Sequence, residues 1–321
     1  YCWPGIQSGG QAMDTRSLAS VILSLPKVAP FGVVNLTDVA ISLMTCLNYR
    51  TAAAASRYRR SEPGLVSLAA CFIVAFGGTT VTGVLLGQPP SWLAGNTSAP
   101  SLLLGYALIY HAPRDAVYRA LQRIVPLRRV VEVLQVVSTA NCISAWGVEK
   151  AVHADHAAAQ SSVGLALVAG VFSATGGGMI GAALGVEADV KGGWRLRTPP
   201  VLSAPSAGVK TAIAATLVYY AATDPHHHFR VVFDAVGLVP LDLELGTLVV
   251  FAIFFILYVW CDVLERGDPF ATLTAWIPAL RGGGGGSGSG SDAGRDEGGD
   301  QASQTPRRSR RISGIRQKRA K

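Results

Sequence analysis

The sequence is poor in charged residues and in the motifs that carry chemistry. Asp, Glu, Lys and Arg together make up 15% of its 321 residues, whereas 50% are hydrophobic. The five cysteines give no CxxC pair and no disulfide framework, and we interpret the triplet His226, His227 and His228 as polar loop residues. No zinc-type spacing, phosphate loop or nucleophile–base pair occurs. We therefore expect no enzyme, no cofactor and no metal site.

Seven long apolar stretches contain most of the hydrophobic residues. Each has about the twenty residues that a helix needs to cross a hydrocarbon core of roughly 30 Å. Helices are also the only open-ended structure that satisfies every backbone group in lipid. The pattern predicts an all-α membrane protein with seven transmembrane helices. The predicted spans are residues 31–49, 65–87, 99–118, 130–148, 161–186, 203–222 and 246–264.

Basic residues in the loops fall on alternate sides of the predicted membrane. The first, third and fifth loops hold four, five and three of them, whereas the second holds none and the fourth and sixth hold one each. Because an excess of Lys and Arg marks the cytoplasmic side, the N-terminus is predicted to be lumenal and the C-terminus cytosolic. Asn96 begins an Asn-Thr-Ser sequon in the uncharged second loop, on the side where glycosylation would occur.

The two ends of the chain differ in composition from the spans. We divide the sequence into an N-terminal segment (1–29), a seven-helix membrane domain (30–265) and a tail (266–321) that is rich in Gly and Ser and then basic. Met13 is a plausible first residue, which would make residues 1–12 non-native or upstream. The tail is too polar to bury a core, so we expect it to be disordered, with its cations free to meet anionic lipid.

A glycine cluster lies in the middle of the second span, and another lies in the middle of the fifth. The step from Gly78 to Gly87 is nine residues, as is the step from Gly176 to Gly185. Small residues can serve close helix packing, but matching interruptions in two halves favour kinked helices that line a water-filled path. The predicted kinks are at Gly77, Gly78, Gly176, Gly177 and Gly178. Because three crossings end on the opposite side, spans one to three and four to six would be inverted repeats, with the seventh span extra.

Polar side chains recur at helical spacing inside two spans and mark a candidate path. Asp38 and Ser42 share a stripe in the first span, and Glu132 begins a stripe in the fourth. Ionisable residues inside a membrane usually face a cavity or a partner. Lys210 in the sixth span could face inward or snorkel outward, and Asn141 is expected to make an interhelical hydrogen bond. The predicted ion-pathway residues are Asp38, Ser42, Glu132, Gln135, Thr139 and Lys210.

Two motifs give the sequence a resemblance to a known family. Residues 85–89 read Leu-Leu-Gly-Gln-Pro, and residues 113–118 read Pro-Arg-Asp-Ala-Val-Tyr. In this order and spacing they resemble the Leu-Leu-Gly-x-Pro and Pro-x-Asp-x-x-Tyr patterns of the trimeric intracellular cation (TRIC) channels. The resemblance extends over about residues 31–265 and includes the glycine-rich second and fifth spans and Lys210.

The resemblance implies a homotrimer with one pore in each protomer. It also implies flux of potassium and other monovalent cations that balances charge during calcium release. The membrane would be the endoplasmic or sarcoplasmic reticulum or the nuclear membrane, with lipid contacts and no nucleic acid. The chain departs from the family's Lys-Glu-Val-x-Arg pattern in the fourth span, where Val131 and Gln135 replace the two cations. Phosphoinositide binding at those positions is therefore not expected, and Arg128 and Arg129, one turn earlier, are the substitute candidates for anionic lipid.

Two other functions are compatible with seven spans. A sugar-type transporter would use parallel repeats joined by a linker fourth span, whereas the glycine clusters in spans two and five suit contiguous inverted repeats better. A non-conducting membrane scaffold would act through its basic tail. Unitary currents or solute uptake would distinguish these alternatives from a channel.

Overall fold

The architecture is helical throughout the part of the chain that a computed structural model describes. Those residues are 20–22, 24–25, 32–55, 64–186, 196, 198–199, 203–237 and 239–271. They all belong to the first of two compact units, Tyr1–Trp276. The predicted disordered tail beyond residue 271, the N-terminal residues 1–19 and the basic residues of the first and fifth loops beyond Arg50 lie outside the described residues.

Seven principal helices correspond to the seven predicted spans. They are α1 (Leu36–Ala55), α2 (Leu65–Leu86), α3 (Ser98–Tyr110), α4 (Val125–Asn141), α5 (Val163–Ala183), α6 (Ala207–Thr223) and α7 (Leu243–Tyr258). The last turns of two of them widen, so that α4 continues as the π-helix Cys142–Val148 and α7 as Val259–Val263. The shorter connecting helices are Ser91–Ala94, Pro113–Asp115, Ala116–Arg123, Glu149–Val152, Ala157–Gln160 and Arg230–Val236.

The third predicted span was too long at its end. Its helix stops at Tyr110, and a separate helix begins at Ala116. Pro113 cannot continue an α-helix, and the next two residues, Arg114 and Asp115, have the positive φ angles of 54° and 56°. The chain therefore turns sharply within the motif of residues 113–118.

Three of the helical stretches in the described residues are long and apolar enough to cross a membrane. They are Leu65–Leu86, Val163–Ala183 and Leu243–Val263, and the apolar helix Ser98–Tyr110 is shorter. α1 and α4 carry the polar stripes, and α6 has only 17 residues. The seven-span topology and its orientation therefore stay predictions.

Two hydrophobic cores lie between the helices. The first core joins α1, α2 and α3 through buried residues such as Met44, Phe76 and Ile109. The second joins the end of α4 with α5, α6 and α7, and Tyr219 and Val250 are fully buried in it. The start of α4 also packs into the first core and the end of α2 into the second, so the cores follow the predicted three-helix groups only in part.

The two predicted three-helix groups meet where the glycine clusters of α2 and α5 face each other. A Cβ atom on Gly78 would overlap the carbonyl oxygen of Phe172, and one on Gly177 would overlap the carbonyl oxygen of Val74. Both helices run without interruption through their glycines. Neither helix is therefore broken at its glycines, which serve the close backbone contact that membrane helices use widely. The predicted kinks stay predictions.

The ends of α2 and α5 support the predicted duplication. Gly87 and Gly185 have φ angles of 66° and 64°, which an L side chain rarely adopts. The following amides close the same type of cap, since Gln88 N donates to the Gly83 carbonyl and Val186 N to the Gly181 carbonyl, each at 2.8 Å. The two helices therefore end in the same way, with the same spacing from the glycine cluster and the same cap geometry.

Arg50 contacts two side chains of the motif of residues 113–118. Its guanidinium donates to Asp115 Oδ1 at 2.9 Å and lies 4.3 Å from the centre of the Tyr118 ring. It also donates to the carbonyl oxygen of Ile109. The Asp and Tyr of the motif therefore fasten the end of α1 to the turn that follows α3.

The α2–α5 contact gives a first prediction. Gly177→Ala should lower the free energy of unfolding by about 1–3 kcal/mol, because a Cβ there forces two backbones apart. Gly178→Ala is the matched control, since nothing lies within 4 Å of its Cβ position and Ala favours a helix by up to about 1 kcal/mol. Thermal unfolding in detergent measures both, and equal midpoints for the two variants would contradict the packing role.

Candidate functional site

Three adjoining cavities lie between the helices, and four of the six predicted ion-pathway residues line them. The central cavity has a volume of about 490 Å³ and is bounded by α1, α2, α4, α5 and the start of α6. Its polar lining is made of hydroxyl, amide and thiol groups. These groups belong to Thr45, Thr79, Gln135, Thr139, Cys142, Ser173, Thr175 and Ser206.

The second space, the Asp38 cavity, has a volume of about 230 Å³ and lies at the start of α1. It is bounded by the turn before α3 and by the last residues of α4, including Ser138 and Asn141. The third space, the Glu132 cavity, has about 490 Å³ and lies at the other end of α1. The start of α4 and the end of α7 line it, including Asp262.

The cavities share lining residues and therefore lie next to one another in a row, which we call the column. Ile41, Ala75, Thr79 and Cys142 border both the Asp38 cavity and the central cavity. Gln135, Thr139 and Gly208 border both the central cavity and the Glu132 cavity. The column follows α1 from Asn35 to Asn48, which is about 20 Å at 1.5 Å per residue.

Carboxylates stand at both ends of this column. Asp38 is the charged residue of its cavity, and Glu132, Asp262 and Arg128 are the charged residues of the other end, among the described residues. The described lining of the central cavity carries no charge. The negative charge of Asp38 has no cation beside it in the described lining of its cavity, whereas Arg128 offsets part of the negative charge at the Glu132 end.

Asp38 is held in place at the first turn of α1. Ser98 Oγ donates to Asp38 Oδ2 at 2.8 Å, which ties the carboxylate to the start of α3. Asn35 caps the same turn, because its Oδ1 accepts from the Thr37 amide at 2.9 Å. The positive end of the α1 dipole also favours a negative charge here.

Glu132 is held by cations of its own helix. Its carboxylate accepts from Arg128 Nε at 2.7 Å and from Arg129 Nη1 at 2.9 Å. The Tyr258 hydroxyl donates to it at 2.9 Å, and Arg129 donates to the Asp262 carbonyl at 2.7 Å. This network joins α4 to the end of α7, and the lipid role of the two arginines stays a prediction.

Two predicted pathway residues lie elsewhere. Ser42 is 1% exposed and packs against Gly105 of α3, where its hydroxyl donates to the Asp38 carbonyl at 2.6 Å. Lys210 is absent from the lining of all three cavities, and its Nζ lies 2.6 Å from Asp268 Oδ2. Asp38, Glu132, Gln135 and Thr139 do line the column.

The lining also contains residues that were not predicted to belong to the ion path. Asn141 lines the Asp38 cavity with Ser138, because that cavity and the Glu132 cavity lie against different faces of α4. Thr79 immediately follows the first glycine cluster, which was the available signal for it. Asn96, the sequon residue, is exposed in the turn beside the Asp38 cavity, and its glycosylation stays a prediction.

Comparison with known proteins gives a family and a fold. The family model described as TRIC channel matches residues 52–258. Comparison with curated protein sequences gives no significant match.

Three solved structures are similar to the chain. A trimeric intracellular cation channel from C. elegans without Ca2+ is 24% identical, with a TM-score of 0.51, covering 77% of this chain and 97% of that one. Its counterpart with bound Ca2+ is 20% identical, with a TM-score of 0.56, covering 79% and 100%. A structure concerning TRIC counter-ion channels in calcium release is 17% identical, with a TM-score of 0.56, covering 77% and 100%. These identities show a shared fold.

The column predicts which positions water and small ions reach. In a chain with Cys142 and Cys261 replaced by serine, because both line cavities, Thr139→Cys should react rapidly with a small cationic thiol reagent. Ser42→Cys is the control from α1 and should react much more slowly, because Ser42 is buried against α3. Mass spectrometry of the labelled protein measures both rates. Equal rates would mean that the column does not admit small ions.

Proposed function

The chain belongs to the TRIC channel family, and from that premise we propose that it conducts monovalent cations across an intracellular membrane. The family is one of channels, not enzymes. Residues 30–265 would form the channel domain, between the N-terminal segment 1–29 and the cytosolic tail 266–321.

The observation that carries this proposal is the row of three adjoining cavities inside one chain. A path for ions needs polar groups at membrane depth and mouths that attract the permeant charge. The central cavity supplies hydroxyl and amide oxygen atoms, and Asp38 and Glu132 supply charge at its two ends. Each protomer would therefore contain its own pore.

The charge distribution of the loops gives the path its direction. With seven spans, the Asp38 cavity would open to the lumen beside the uncharged turn that contains Asn96. The Glu132 cavity would open to the cytosol, where Arg128 and Arg129 stand at the start of α4. The N-terminus would be lumenal and the C-terminus cytosolic, in accord with the positive-inside rule.

Three finer features of the proposal draw on the similar structures. The C. elegans protein is a trimeric channel, which supports a homotrimer. Another of the similar structures concerns counter-ion channels in calcium release, which supports a charge-balancing role. Potassium, the abundant intracellular cation, would be the principal ion, and neutral oxygen atoms in the central cavity would bind it weakly enough for release. The reticulum or nuclear membrane would be its location.

Recording from purified protein in planar bilayers tests this function. Unitary cation currents are expected from the full chain. Saturable uptake of a solute into vesicles without unitary currents would instead identify a transporter, and the absence of both would identify a scaffold. Either of these results would contradict the proposed channel function.

Neutralising the end carboxylates gives a further prediction. A unit charge about 4 Å from an ion contributes roughly 1 kcal/mol even at the dielectric constant of water, and 1.4 kcal/mol is about tenfold in an equilibrium constant. Asp38→Asn should therefore lower unitary cation conductance by about two- to tenfold. Glu132→Gln should lower it further, because Arg128 then faces the cavity without its partner.

Asp234→Asn is the matched control for these two variants. Asp234 is exposed on the helix Arg230–Val236 and lines none of the three cavities. Its unitary conductance should equal that of the unmodified chain. If Asp38→Asn and Glu132→Gln behave like this control, neither carboxylate belongs to the path.

A further inference from the structure

A separate apolar groove lies between α7, α6 and residues 269–270, and we call it the α7 groove. Its volume is about 320 Å³, near the lower end of the range of roughly 300–1,000 Å³ seen for small-molecule sites. Six apolar side chains line it: Ile253, Ile256, Leu257, Trp260, Pro269 and Phe270. Thr211 completes the lining, and its hydroxyl is already bonded to the Ala207 carbonyl at 2.9 Å.

Residues 266–270 fold back beside α7 and give the groove a polar rim. The Trp260 indole donates to the Gly267 carbonyl at 3.1 Å, and Arg266 lies with its guanidinium 5.4 Å from the Trp260 ring. Lys210 pairs with Asp268 at 2.6 Å, and its ammonium holds the pKa of the Asp268 carboxyl below the usual value. Lys210 and Asp268 therefore form an ion pair at the rim of the groove.

We propose that the α7 groove binds one acyl chain of a bilayer phospholipid. An apolar trough with a polar rim matches an amphiphile, whose chain would lie along Ile256 and Leu257 and whose phosphate would lie near Arg266. Ile256 is 66% exposed, so the trough opens sideways toward the surroundings of the protein. Trp260 stands at the rim, where amphipathic rings are enriched at membrane surfaces.

The Lys210–Asp268 ion pair at the rim bears on which lipid headgroups the groove should accept. Because Lys210 is paired with Asp268, the groove has little reason to prefer an additional negative charge on the headgroup. A phosphocholine and a phosphoserine lipid both carry the phosphate that Arg266 can meet. Binding should therefore depend on the acyl chain and hardly on headgroup charge, unlike a site for multiply charged inositides.

The groove shares one wall with the proposed ion path. Leu257 lines both the α7 groove and the Glu132 cavity. An acyl chain in the groove would contact Leu257, which also borders the Glu132 cavity. This consequence rests on the proposed channel function, whereas the binding site itself requires only that the protein lies in a bilayer.

Photolabelling tests the site. The full chain is placed in nanodiscs that contain phosphatidylcholine with a diazirine in its acyl chain, irradiated, and mapped by mass spectrometry. Ile256, Trp260 and Phe270 should be labelled several-fold more than Leu103 and Leu217, which are exposed apolar side chains outside the groove. Phosphatidylserine with the same chain should give the same pattern.

A groove-filling variant makes the test independent of general lipid contact. Ile253→Trp places a larger side chain in the groove and should reduce labelling of Trp260 and Phe270 several-fold. Ala252→Trp is the matched control, because Ala252 is exposed on the same helix and does not line the groove. Its labelling should match that of the unmodified chain.

Three results would overturn the site. Labelling spread evenly over exposed apolar residues would mean contact with ordinary surrounding lipid only. Absence of groove labelling would mean that a second copy, or the chain beyond Ala271, covers it. A strong preference for phosphatidylserine would contradict the paired rim. Labelling does not depend on ion conduction. A protein that does not conduct would still show the lipid site, and a protein without the lipid site would still conduct.

Discussion

Close contact between α2 and α5 is the constraint on which the rest of the molecule depends. Backbone lies against backbone at Gly78 and Gly177, so no side chain separates the two three-helix units. The residues beside this contact, Thr79 and Gly178, already line the central cavity. One short glycine-rich segment thus joins the two halves and borders the path between them. Membrane helices lack a strong hydrophobic drive to associate, so such fit between small residues carries much of the association.

The carboxylates at the two ends of the column are stabilised in different ways. Asp38 has no cationic partner among its described contacts and relies on the Ser98 hydroxyl and the start of α1. Glu132 is instead paired with two arginines and a tyrosine hydroxyl. A buried ion pair adds little net stability, but loss of one partner leaves an expensive unpaired charge. The Glu132 network therefore fixes the geometry of α4 against α7.

Local patterns predicted the helices and several residues that line the cavities, whereas long-range packing decided the rest. Hydrophobic length located all seven helices, and matching glycine spacing indicated the duplication that Gly87 and Gly185 now support. The close contact that these glycines make was not predicted as their main role, because spacing along one helix does not show what faces it. Ser42 shares the stripe of Asp38, but Gly105 of α3 covers it. Lys210 likewise has its partner 58 residues away, beyond any periodicity.

The central claim is a cation path that lies inside each chain between two carboxylate mouths. The reversal potential of the unmodified channel across a gradient of potassium chloride tests it most directly. A path of this charge should give a potential close to the equilibrium value for potassium, with little contribution from chloride. A reversal potential near zero, or one close to the chloride value, would contradict it.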